Sequence, residues 1–185
     1  PYVAAPGSKK KLSKRDGAVG LHEFINEGYL PEAMLNYLAR VGWSLDETTE
    51  IFSRADLIEK FSLERVNSSP ASHDPDKLYW LQGEWMKMAD LDRKVSLTAP
   101  YIHHAEEYTS WHRHRKDQKE TPAVAEDQEI LPFLQHPAKV SEAEAERFKA
   151  VIKALGDRLK VASDIVKLGR YFFTEEMSYD PDAVK

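Results

Sequence analysis

Helix-start chemistry recurs along this chain and constrains its fold more than any other feature. The run LPEAMLNYLARVGW places Pro31 and Glu32 where a first helical turn begins, and Gly42 where a C-terminal cap belongs. Between them Met34, Leu35, Leu38 and Val41 recur at three-to-four spacing, the period of one helix face. Ser53 stands three residues before Asp56 and reads as a capping box opening RADLIEKF, in which each side chain satisfies the other's backbone N–H. Asp74 and Pro75 open DKLYWLQGEWMK with an N-cap and a first-turn proline, Ser141 and Glu144 open a further helix, and Ser163 reads as the cap of DIVKLGRYFF. Strand signals are confined to short pieces such as EIFS, residues 50–53, too brief for a large sheet. The polar stretch 113–128 lacks apolar periodicity and reads as a loop or mobile insertion. The expected fold is mainly α with at most short strands, with a boundary near Leu91.

Composition narrows the function classes. The chain has 185 residues, 42% hydrophobic and 31% charged, enough for one large domain or two small ones. Without cysteine there is no disulfide framework, thiol nucleophile or thiolate-bound zinc. No apolar run approaches the roughly 18 residues of a membrane span, and the first six residues, PYVAAP, are not a signal peptide. The sequon at Asn67 has no secretory context, so the expected location is the cytoplasm and no membrane partner is expected. The chain begins at Pro1 without an initiator methionine and reads as a piece of a longer protein.

Against a net charge of −5, the stretch GSKKKLSKRDG gathers Lys9, Lys10, Lys11, Lys14 and Arg15 within seven positions. So dense a cationic loop needs solvent or an anionic partner, for which phosphate is the natural candidate. It has neither the Gly-Lys-Ser/Thr ending of a Walker loop nor a dinucleotide-binding glycine pattern. A solvated loop, a basic targeting signal on a non-enzymatic helical interaction module, and a phosphate-binding loop all remain open on composition.

The segment KLSKR, flanked by glycines, is similar to the KMSKS-type loop of class I aminoacyl-tRNA synthetases. The longer runs KKLSKRDGAVGLHEFINEGYLPEAMLNYLARVGWS and EIFSRADLIEKFSLERVNSSPASHDPDKLYWLQGEWM resemble glutamyl-tRNA synthetase, and the likeness returns at LGDRLKVASDIVKLGRYFFTE after a divergent middle. The resemblance implies that residues 1–90 hold the loop and a tRNA stem-contact region, and residues 91–185 an α-helical anticodon-binding bundle, incomplete at its C-terminus. It implies that Lys11, Ser13, Lys14 and Arg15 bind ATP, with Lys14 the principal catalytic residue and Lys11 assisting, and that ATP acts with Mg in the whole enzyme. The implied partners are tRNA(Glu), with ATP and L-glutamate held by an N-terminal domain whose HIGH-type signature this sequence lacks; alone, the chain is expected to be an inactive monomer. The related glutaminyl enzyme has a mainly β-barrel anticodon region, which the helical character after Glu126 disfavours.

Lys77 and Trp80 share a helix face. On spacing alone Trp80 reads as core with Lys77 a solvated neighbour, whereas the resemblance implies that Lys77 contacts tRNA backbone with Trp80 in support. On sequence alone Arg158 reads as a solvated or salt-bridged residue, whereas the resemblance places it beside the third anticodon base. His103, His104, His112 and His114 crowd together, but with no HExxH and no cysteine the expectation is no metal site.

Overall fold

The computed structural model describes Val3, Ala4, Lys11 and residues 20–117 and 130–174, with backbone only over 115–117. Among these residues the elements run β1 (Val3–Ala4), α1 (Leu21–Asn26), α2 (Pro31–Arg40), α3 (Arg54–Lys60), β2 (Ala71–Ser72), α4 (Pro75–Met88), α5 (Leu91–His103), α6 (Ala105–Asp117), α7 (Glu142–Leu155) and α8 (Asp164–Gly169). The two strands pair in parallel, Val3 with Ala71 and Ala4 with Ser72. The architecture is mainly α, as expected from the sequence.

The helix starts are where their side chains can satisfy orphaned backbone donors. Ser53 Oγ accepts from Asp56 N–H at 3.0 Å while the Asp56 carboxylate accepts from Ser53 N–H at 3.0 Å, closing the capping box. The Ser53 hydroxyl also donates to the Asp56 carboxylate at 2.6 Å, and this bond, with those from Lys60 and Ser53 N–H, holds the Asp56 carboxyl down at about 2. Asp74 caps α4 by accepting from Lys77 N–H at 2.9 Å, and Ser141 caps α7 by accepting from Glu144 N–H at 3.3 Å.

Four local expectations are corrected. In α2 the buried face is Ala33, Asn36 and Tyr37, while Leu35 and Leu38 are 42% and 54% exposed. EIFS forms no strand: the Asn36 amide takes the place of a strand neighbour, donating to Glu50 carbonyl and accepting from Phe52 N–H, each at 3.0 Å. Ser163 does not cap α8 through its side chain; its hydroxyl instead donates to the Glu27 carbonyl at 2.8 Å, and Asp164 accepts from Lys160 and Val161 N–H. Residues 113–117, expected as loop, continue α6, where Tyr108, Trp111 and His112 form an aromatic row and, Ala105 aside, the remaining residues are polar. That row is too narrow to register as apolar periodicity.

The largest core joins Leu30 and Ala33 of the α2 start and Met86 of α4 to α5, α7 and α8 through Val95, Ala99, Phe148, Ile152 and Ile165. Smaller clusters lie under α2 and α4 (Tyr37, Leu78, Leu81) and around Trp43, Phe52 and Leu57. Buried polar groups stitch these together. Gln82 accepts from Leu30 N–H at 2.8 Å and donates to Lys160 carbonyl at 2.7 Å; Asn26 accepts from Leu131 N–H at 2.9 Å. Between them Gly28, at φ +81°, receives Ala162 N–H on its carbonyl at 3.1 Å. A Cβ at Gly28 would stand 2.7 Å from the Ala162 Cβ, so both the left-handed backbone and the close approach require glycine there.

Candidate RNA and nucleotide interface

Lys11, exposed, makes an antiparallel backbone bridge with Ala4, which is buried. Ala4 also pairs with β2, and its carbonyl accepts from His73 N–H at 3.0 Å. The next link is the Tyr37 hydroxyl, which lies 2.8 Å from His73 Nδ1 and accepts from Asp74 N–H at 2.9 Å. Asp74 in turn caps α4. Lys11 is thus joined through four short hydrogen-bonded steps to the helix that carries Lys77 and Trp80. Ser13, Lys14 and Arg15 lie outside the described residues.

On α4, Lys77 and Trp80 stand together as the helical spacing predicts, but neither is core: Trp80 is 39% exposed. The Lys77 ammonium lies 4.1 Å from the centre of the Trp80 ring and donates to Glu50 Oε1 at 2.5 Å. Arg40, at the end of α2, approaches the same oxygen at 3.4 Å. The hydrogen bond from Lys77 lowers the Glu50 carboxyl below its usual range, opposed by partial burial and reinforced by the charges of Lys77 and Arg40. Sequence reasoning missed Glu50, whose role follows from Asn36. By holding the backbone of residues 50 and 52, the buried amide aims the Glu50 side chain between the two cations.

Arg158 is exposed at the end of α7, where its guanidinium donates to the carbonyls of Ala154 (3.3 Å) and Leu155 (3.4 Å). These are last-turn carbonyls, so the side chain caps the helix and lies favourably at the negative end of its dipole. Neighbouring Asp157 pairs with Lys87 at 3.4 Å rather than with Arg158.

The histidines are each engaged separately. His103 Nε2 is 2.6 Å from Glu144 Oε1, His104 stacks on Phe133 at 4.9 Å, His112 Nδ1 is 3.1 Å from Glu27 Oε1, and His114 Nδ1–H donates to Ser110 carbonyl at 2.7 Å. Glu27 also accepts from the Tyr108 hydroxyl at 2.9 Å, and burial pushes the Tyr108 phenol well above its ordinary pKa. Among the described residues no group of three or more His, Asp or Glu is placed to hold a metal ion.

Comparison with known proteins covers the whole chain. Residues 2–80 match the family model of the class I tRNA synthetase (E and Q) catalytic domain, and residues 123–185 match that of an anticodon binding domain. Glutamate–tRNA ligase of Moorella thermoacetica is 33% identical over 189 aligned residues, covering 100% of this chain and 32% of the relative. The ligase of Alkaliphilus metalliredigens reaches 48% identity over 105 residues, covering 55% of this chain and 21% of the relative. Among solved structures, glutamate–tRNA synthetase from Elizabethkingia anophelis superposes with a TM-score of 0.64 at 23% identity, covering 99% of this chain and 34% of that one, a likeness of fold. The chain therefore spans about a third of the length of the curated relatives it matches. Matches that run through the basic stretch disfavour its reading as the targeting signal of a non-enzymatic module. With a catalytic-domain match followed by an anticodon-binding match, and ligases aligned from end to end, the chain belongs to the glutamate–tRNA ligase family of class I tRNA synthetases.

Proposed function

We propose that this chain supplies the ATP-phosphate loop and the tRNA-binding surfaces of an enzyme that activates glutamate with ATP and transfers it to tRNA(Glu) in the cytoplasm. The observation that carries this reading is the order of the two family matches, catalytic at 2–80 and anticodon-binding at 123–185. In the reaction a glutamate carboxylate oxygen attacks the α-phosphorus of ATP, and the bond to pyrophosphate breaks with negative charge collecting on the leaving group. Ammonium groups fixed at that point stabilise the transition state more than the ground state, and no proton needs to move. Lys14 takes this role with Lys11 assisting, while Ser13 and Arg15 complete the phosphate contact. The described residues offer no carboxylate or histidine cluster that would hold Mg. No helix among the described residues is long and apolar enough to cross a membrane.

Residues 1–90 then contact the tRNA stem through Lys77 and Trp80, and residues 91–185 read the anticodon through Arg158. Glutamate anticodons end in cytosine and glutamine anticodons in guanine. Cytosine presents acceptors at O2 and N3 to a guanidinium that only donates, whereas guanine opposes it with N1–H and N2–H. The exposed position of Arg158, held by two carbonyls at one end of α7, suits such a contact. In the ligase, Arg158→Gln is expected to narrow the ratio of charging rates on tRNA(Glu) over tRNA(Gln) by about tenfold, the worth of one edge contact of about 1–3 kcal/mol. Glutamyl-adenylate formation should stay unchanged. Charging rates on both tRNAs at one salt concentration test it, and an unaltered ratio removes Arg158 from the recognition surface.

A further inference from the structure

The Lys77 ammonium, proposed above to meet the tRNA backbone, is already occupied on two sides in the structure. Glu50 Oε1 is 2.5 Å away and the Trp80 ring 4.1 Å away. The same carboxylate draws Arg40 to 3.4 Å, so one anion serves two cations and the cluster carries one net positive charge in place of two. None of the three is deeply buried: the side chains of Arg40, Glu50 and Lys77 are 22%, 33% and 31% exposed. Pairs at such exposure are worth about 1 kcal/mol or less, weak enough for an incoming phosphate to displace. The carboxylate does not reach this position by a mobile side chain on a free loop. Asn36, wholly buried, grips the backbone of residues 50 and 52, and Trp85 Nε1–H donates to the same amide oxygen at 3.1 Å. Asp74, at the α4 N-terminus, is engaged by Lys77 N–H.

We propose that Glu50 is a built-in competitor for RNA phosphate: it holds Lys77 and Arg40 in the unbound chain, and binding moves the Lys77 ammonium from Glu50 and the Trp80 ring onto a phosphate, uncovering the indole face. The competitor weakens attraction for any polyanion, so that only a phosphate presented in the right place recovers the lost pairing. Uncovered, the indole offers an aromatic face on which a ribose or base can pack. The inference rests on reading the chain as a tRNA-binding segment.

Binding of a tRNA(Glu) transcript, followed by fluorescence anisotropy over a salt series, tests it. Glu50→Gln removes the charge and leaves the Asn36 contacts, which are to backbone. It should bind about three- to tenfold tighter at low salt. Its slope of log K against log salt should stay near that of the wild type, because the Lys77–phosphate contact forms in both and only the competing pair is lost. Glu50→Asp, which keeps the charge, should stay near the wild type; Glu50→Ala serves as a second neutral variant if the amide disturbs the fold, with melting curves checking both. In a Lys77→Ala background the gain should shrink. Equal or weaker binding by both neutral variants, or a gain undiminished in Lys77→Ala, overturns the competitor. If Lys77→Ala lowers the slope while the neutral variants change nothing, the tRNA-binding reading stands and the competitor alone falls. If the unaltered chain shows no salt-dependent binding, both fall.

Discussion

Asn36→Ala should lower the unfolding free energy of this chain by about 3 kcal/mol, more than Leu35→Ala or Leu38→Ala in the same helix. The amide is fully buried and makes three hydrogen bonds, to Glu50 carbonyl, from Phe52 N–H and from Trp85 Nε1–H. Alanine leaves all three groups without that partner, and each buried orphan costs about 1–3 kcal/mol before relaxation. The two leucines, half-exposed, should each cost about 1 kcal/mol or less, well short of the 2–5 kcal/mol of a core leucine. Urea denaturation of the three variants ranks them. A greater loss for either leucine would mean that α2 buries the face its apolar spacing suggests.

Lys14→Ala, placed in the ligase, should slow glutamyl-adenylate formation by about 10²–10³-fold, the range for removing one preorganised group that stabilises transition-state charge. ATP binding should weaken by much less, because in the proposed role the charge that Lys14 meets on the departing pyrophosphate develops only as the bond breaks. Pre-steady-state measurement of activation separates the two. An unchanged activation rate removes Lys14 from the transition state, and an equal loss in both makes it a ground-state phosphate ligand.

The legibility of this fold in sequence was uneven, and for physical reasons. Capping is local: Ser53 with Asp56, Asp74 with Pro75, and Ser141 before Glu144 each act within three residues, so the starts of α3, α4 and α7 could be read directly. The packing faces could not, because the buried side of α2 carries Asn36, whose partners come from residues 50, 52 and 85. Gln82 and Asn26 are similar cases. Their amides meet Leu30 and Lys160, and Leu131, across separations of 52, 78 and 105 positions, which no periodicity records. The role of Ser163 is hidden for the same reason, since its hydroxyl serves Glu27, 136 positions away. At the candidate site the pairing of Lys77 with Trp80 followed from helical spacing. Glu50 did not, because its place depends on what Asn36 does to a distant backbone. The roles of Lys11 and Arg158 came from resemblance, and the geometry adds where each is anchored.

Amino-acid choice on the matching tRNA tests the central claim most directly. Given ATP, equal labelled glutamate and glutamine, and both tRNAs, the ligase carrying this segment should esterify glutamate to tRNA(Glu) and form no glutaminyl-tRNA. Formation of glutaminyl-tRNA(Gln), or the absence of any aminoacyl ester from a folded enzyme that binds both ATP and tRNA, would contradict it.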